Sequence, residues 1–185
     1  GEPLLNYNEV LKAIDRMTSE KGLGMSPRRI TVSTVGLVKQ IRQLAGDNPK
    51  VQLAVSLHAA DPEKRSELMP VNKSNGIDKL IDALKFYHEK TGNRITFEYI
   101  LMKDVNDQQG DAYELAMFCR NFPCKVNLIE YNPVEGLPFE KTPAPVARQF
   151  MDFLEKRNMV VNFRNSKGRD IDAACGQLAN KFRQS

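Results

Sequence analysis

Val51-Gln52-Leu53-Ala54-Val55-Ser56-Leu57-His58 decides the fold class, because its large apolar residues recur at every second position. In an extended strand, Val51, Leu53, Val55 and Leu57 share one face, and Gln52, Ala54, Ser56 and His58 share the other. Downstream, Ile77, Leu80, Ile81 and Leu84 are spaced i, i+3, i+4, i+7, the apolar stripe of a helix. Arg94 to Leu101 then returns to strand character. A strand, a helix and a second strand in succession predict parallel strands joined by crossovers, hence an α/β fold.

The same alternation extends in both directions. Asn6 and Glu9 have the spacing of a capping box ahead of Val10, Leu11, Ile14 and Met17, with a stop near Gly22. Arg29 to Val35 reads as a strand, and Leu37, Ile41 and Leu44 as a short helix ending at Gly46. Asp61 to Leu68 is a helix or a long loop, broken by Pro70. Ala112, Leu115, Ala116 and Cys119 mark a helix, and Lys125 to Tyr131 a strand. Thr142 and Pro143 suit the N-cap and first position of a helix carrying Val146, Phe150, Phe153 and Leu154. Val160 to Arg164 is a fifth strand, and Ile171 to Phe182 a last helix. With no repeat, low-complexity tract or long linker, residues 1–185 read as one α/β unit.

The strands also carry polar residues on one side. Parallel strands covered on both faces are almost continuously apolar. Here Thr31 and Ser33, Thr96 and Glu98, Asn127, and Asn162 and Arg164 interrupt that pattern. Burying such groups unpaired costs about 1–3 kcal/mol each. The reading this favours is a curved sheet whose inner face lines a polar ligand cavity, with the site at the C-terminal strand ends. A plain solvent-facing side is the alternative.

Composition narrows the partners only slightly. The 185 residues are 41% hydrophobic, and the net charge of +4 permits a nucleic-acid partner without demanding one. Arg28-Arg29, Lys64-Arg65, Lys73, Arg164, Lys167 and Arg169 are candidate contacts to RNA phosphates or simply solvated charges. Cys119, Cys124 and Cys175 lack metal-ligand spacing, which argues against a disulfide framework and against a self-contained metal site. No apolar run is long enough to span a bilayer and nothing near Gly1 reads as a secretion signal, so a cytoplasmic location is expected and no membrane partner. The first residue is Gly1 rather than Met, and it opens in the middle of a turn. That reads as a piece of a longer protein.

The strand ends read Ser33-Thr34-Val35-Gly36, Ser56-Leu57-His58-Ala59, Glu98-Tyr99-Ile100-Leu101 and Glu130-Tyr131-Asn132-Pro133. Near the end stands Asp172-Ala173-Ala174-Cys175-Gly176-Gln177-Leu178. In order and spacing this set, together with Gly1-Glu2-Pro3, resembles the radical S-adenosylmethionine (SAM) RNA methyltransferases that act on adenine of large-subunit ribosomal RNA, the RlmN/Cfr group. The resemblance implies a partial (β/α)6 radical-SAM barrel, truncated here so that its first strands are missing. It also implies two cofactors, SAM and a 4Fe–4S cluster held by a CxxxCxxC loop. No CxxxCxxC occurs in this sequence, so the cluster ligands are expected to lie before Gly1. The chain alone is then expected to be inactive.

The resemblance further implies a role for particular residues. Gly1 and Glu2 would contact the amino group of SAM, and Ser33, Ser56, Leu57, His58 and Asn132 would bind the rest of it. Cys175 would be the catalytic cysteine. By the resemblance, SAM would methylate its thiolate, and a 5′-deoxyadenosyl radical from a second SAM would take a hydrogen atom from the new methyl group. The carbon radical would then add to the adenine ring, and a second cysteine, expected outside this sequence, would resolve the adduct. The implied product is C2-methyladenine in 23S rRNA, with transfer RNA as a second candidate substrate and an outside electron donor as partner. C8 methylation in the same group, a cluster-less RNA-binding protein, and an unrelated barrel lyase using Glu98 or His58 as base are the alternatives. Taken alone, Ser33 and Asn132 equally suit local backbone bonding, Glu2 a helix cap, and Cys175 a small core residue. Cys119, Cys124 and His88 read as structural.

Overall fold

The computed structural model describes residues 1–134 and 136–164. The predicted helix 171–182, Lys167, Arg169 and Cys175 lie outside them. A 3-10 turn at Pro3–Asn6 leads into α1 (Tyr7–Thr18), followed by β1 (Thr31–Thr34), α2 (Val38–Asp47) and β2 (Gln52–Ser56). Then come α3 (Pro62–Leu68), α4 (Ile77–Thr91), β3 (Ile95–Leu101), α5 (Gln109–Cys119), β4 (Cys124–Glu130), α6 (Ala144–Glu155) and β5 (Val161–Arg164). All five strands form one parallel sheet in the order β1-β2-β3-β4-β5. This is the α/β architecture expected from alternating periodicities, and each strand follows its neighbour in sequence as in a barrel.

One face of the sheet is largely apolar. Val32, Leu53 and Ile95 lie side by side in register, and Val55, Phe97 and Val126 form a second row. All six are at least nine-tenths buried. The helices cover this face. Ile41 and Leu44 of α2, Leu80 and Leu84 of α4, Leu115 of α5 and Phe150 and Leu154 of α6 complete the same core. Phe97 meets Phe118 edge-on at 5.2 Å between ring centroids, a geometry that favours the ring quadrupoles.

Two local expectations needed correction, and a third was settled. Asn6 makes no capping bond; the preceding 3-10 turn feeds straight into α1, and Glu2 caps that turn instead. A capping box does occur at α5, where Gln108 and Asp111 cap each other's backbone. Thr142 does not cap α6, whose cap is Pro143; its hydroxyl is buried and donates to Asp107 at 2.9 Å. Asp61 to Leu68 is a helix, with the Asp61 carboxylate accepting from the Lys64 amide at 2.8 Å.

Candidate ligand-binding site

The opposite face of the sheet carries the polar residues. Ser56, Glu98, Asn127 and Asn162 stand in one register row across β2, β3, β4 and β5. The Asn127 amide donates to Glu98 Oε1 at 2.7 Å, and the Asn162 amide donates to Asn127 Oδ1 at 3.1 Å. Among the described residues Glu98 Oε2 is buried and accepts no hydrogen bond, and the Arg164 guanidinium stands 3.9 Å away. A carboxylate oxygen in that position is an acceptor waiting for a donor, since leaving it unmet is costly. Ser33 is exposed one strand over, on the same face, opposite Ala54.

The C-terminal rim of the sheet is fixed by a set of buried clamps. Glu2 accepts from the Leu4 amide at 3.0 Å and, through its other oxygen, from the Val35 amide at 2.6 Å. The carboxylate thereby pins Gly1-Glu2 to the end of β1. Arg65 is fully buried, and among the described residues it pairs with no carboxylate. It donates to the Val35 carbonyl at 2.9 Å, the Ser56 carbonyl at 3.3 Å and Asn72 Oδ1 at 3.1 Å. One guanidinium therefore ties the end of β1 to the end of β2, and burial lowers its pKa to about 10. Gly36 has φ +103°, and a Cβ there would stand 3.2 Å from an Arg65 nitrogen. Only glycine suits both demands.

His58 occupies the left-handed region at φ +57° just beyond β2. Its Nδ1 accepts from the Ile100 amide at 3.2 Å, so the ring proton sits on Nε2. Burial first, and the nearby Arg65 charge second, lower its pKa to about 4. The ring is neutral at physiological pH and offers one N–H donor to a ligand. Asn106 holds the rim from beneath, donating to the His58 carbonyl at 2.8 Å and the Ile100 carbonyl at 2.7 Å. It also accepts from the Met102 amide at 2.7 Å.

Leu57 has a different position. Its side chain is wholly in the core, its amide donates to the Glu98 carbonyl at 3.0 Å, and its own carbonyl accepts from Ala59 at 2.7 Å. Its part is to hold Ser56 and His58 in place. Asn132, half-buried, directly follows Tyr131 at the end of β4. The structure thus brings Glu2, Ser33, Ser56, His58 and Asn132 to the C-terminal end of the sheet, with Ser33 and Ser56 on its polar face, while Cys175 lies outside the described residues.

Sequence reasoning missed Arg65, Asn106 and the free side of Glu98. Arg65, a candidate phosphate contact by sequence, is inside the protein, and Lys64 is ion-paired with Asp111. Arg28 and Arg29 precede β1 and so lie at the opposite end of the sheet from the rim. The sequence signals were faint: a buried arginine and a solvated one look alike, and Asn106 is one of several polar residues in a loop.

The rim offers hydroxyls, an imidazole N–H and a carboxylate, which together suit a polar ligand with both donors and acceptors. It does not suit a metal cluster. Among the described residues no group of three or more His, Cys, Asp or Glu side chains could hold a metal ion. No helix among them is long and apolar enough to cross a membrane.

No protein-family model matches the chain. Curated relatives do. It is 51% identical over 98% of its length to a probable dual-specificity RNA methyltransferase RlmN of Christiangramia forsetii, and covers 51% of that protein. A relative of the same name from Salinibacter ruber is also 51% identical, with 50% of it covered. The chain therefore spans about half the length of the curated relatives it matches. Among solved structures, a radical SAM methyltransferase from Sphaerobacter thermophilus superposes with a TM-score of 0.92 at 43% identity, covering 96% of this chain and 52% of that one. A domain of pyruvate-formate lyase-activating enzyme from Bacteroides vulgatus shares the fold, with a TM-score of 0.68 at 16% identity.

Proposed function

We propose that this chain is the C-terminal part of a radical SAM RNA methyltransferase of the RlmN group, acting in the cytoplasm on adenine C2 of 23S rRNA and of transfer RNA. The observation that carries this reading is the coincidence of motif and geometry. All but Leu57 of the residues that resemble the group's SAM contacts converge on one polar rim of a sheet whose other face is core. Sequence likeness over 98% of the chain points the same way.

In this reading SAM lies along the rim. Ser33 and Ser56 offer hydroxyls to it, and neutral His58 offers its Nε2 proton. Gly1-Glu2, pinned against β1, presents carbonyl and carboxylate to the ammonium, and Asn132 holds the adenosine end. SAM supplies an electrophilic methyl group, and Cys175 is the thiolate that accepts it before transfer to the base. The residues described here do not suit the 4Fe–4S cluster, so reductive SAM cleavage belongs to a CxxxCxxC loop outside this sequence, and this chain alone is inactive. The electron donor serves that loop.

The test uses a protein that carries this chain behind such a loop. Methyl-labelled SAM is expected to mark both Cys175 and RNA, and Cys175→Ala to abolish the RNA label. Nuclear magnetic resonance of the product nucleoside reads C2 directly. A methyl at C8 would replace that part of the proposal, and undiminished RNA methylation by Cys175→Ala would overturn the relay.

A further inference from the structure

At the foot of the sheet, opposite the rim, two thiols meet. Cys119 is the last residue of α5 and Cys124 the first of β4. Cys119 is buried and Cys124 half-buried, and both are reduced. The Cys124 thiol donates to the Cys119 carbonyl oxygen at 3.7 Å, which sets the two side chains beside each other at the mouth of one cavity.

Their mutual proximity and unequal burial separate their acidities. Cys119 is raised well above the usual thiol range, first by the neighbouring Cys124 side chain and then by burial. Cys124 is lowered, chiefly by the neighbouring Cys119 side chain and further by the charge of Arg94. The thiolate therefore forms on the more accessible sulfur, as in reactive cysteine pairs.

The surroundings select a reaction partner. Both cysteines line a cavity of about 280 Å³ together with Arg94, Arg120, Lys125 and Arg157, and no carboxylate lines it. A cavity with four cations and no acid attracts anions. Nothing in the methyltransferase reading uses it.

We propose that Cys124 is a nucleophilic thiolate that exchanges with small disulfides bearing carboxylates, and that Cys119 then closes a disulfide with it. In the first step Cys124 sulfur attacks one sulfur of the small disulfide, the S–S bond breaks and one thiolate leaves. In the second, Cys119 loses its proton and attacks Cys124, expelling the other half as a second thiolate. The protein dithiol loses two electrons and the small disulfide gains them.

The experiment uses this chain with Cys175→Ser, so that only the pair remains, and two probes, oxidised glutathione and the cationic disulfide cystamine. After alkylation, mass spectrometry with peptide mapping is expected to show a Cys119–Cys124 disulfide formed about tenfold faster with oxidised glutathione at low salt. Arg94→Gln with Lys125→Gln is expected to erase most of that preference. In a Cys119→Ser background the glutathione adduct accumulates on Cys124; should that variant not fold by circular dichroism, Cys119→Ala serves, and the disulfide mapping needs neither. Equal or faster oxidation by cystamine overturns the cationic-cavity element. An adduct on Cys119 first, or a folded chain whose pair stays reduced while the unfolded chain oxidises, overturns the proposal.

Discussion

The Ile100 amide donates to His58 Nδ1 at 3.2 Å, joining the end of β2 to the end of β3 through a ring that must stay neutral. Protonating Nδ1 would set two donors against each other. The folded pKa, about 4, lies below the ordinary 6.5, so the unfolded chain binds more protons between those values. Stability is thus fully present above about pH 6.5 and falls as pH drops towards 4. The expected loss is on the order of 2–3 kcal/mol, read from urea midpoints across that window. His58→Asn, which tolerates a positive φ and keeps an acceptor, should flatten the profile.

Arg65→Met should destabilise the chain by about 3 kcal/mol or more, because two strand-end carbonyls and Asn72 lose a buried donor together. Arg65→Lys should restore only part of this, since one ammonium cannot reproduce the planar fork. Gly36→Ala, strained by its φ and pressed against Arg65, should cost about 1–3 kcal/mol. Equilibrium denaturation checks all three, and wild-type stability for Arg65→Met would remove the clamp from the account.

Glu98→Gln keeps the acceptor that Asn127 uses and removes the charge on the unmet oxygen. Stability should stay within about 1 kcal/mol of the parent. If SAM supplies the missing donor, its affinity in the cluster-bearing protein should fall about tenfold. Calorimetric titration separates the two effects. Lower stability with unchanged affinity would make Glu98 a structural member of the Asn127–Asn162 chain.

Glu2→Ala deprives the Leu4 and Val35 amides of their acceptor, for an expected loss of about 1–2 kcal/mol. Glu2→Gln should recover roughly half, as the amide has one acceptor oxygen. Hydrogen exchange at the Val35 amide reports the same contact directly, and protection equal to the parent's in Glu2→Ala would exclude it.

Much of this was legible in residue order. Period-two runs such as Val51 to His58 placed the strands, and period-3.6 stripes such as Ile77 to Leu84 placed the helices. The polar side of the strands foretold which face the helices would leave uncovered. The misses share a cause. Whether Arg65 points inward, whether Thr142 caps a helix or meets Asp107, and whether Leu57 touches ligand or core all depend on partners far away in sequence, which local spacing does not encode. Asn6 and Glu9 had the capping pattern, but a preceding turn anchored by Glu2 made that cap unnecessary.

Because the strands follow one another without a swap, positions along the rim are steps of a ruler. From Ser33 on β1 to Asn132 beyond β4 there are three inter-strand steps, about 14 Å in all. Free adenine or methionine is too short to reach both ends, whereas an extended nucleoside joined to an amino acid is long enough. With SAM along the rim as proposed, selection is by span as well as by chemistry, and fragments of the ligand should bind weakly however well each matches its own step.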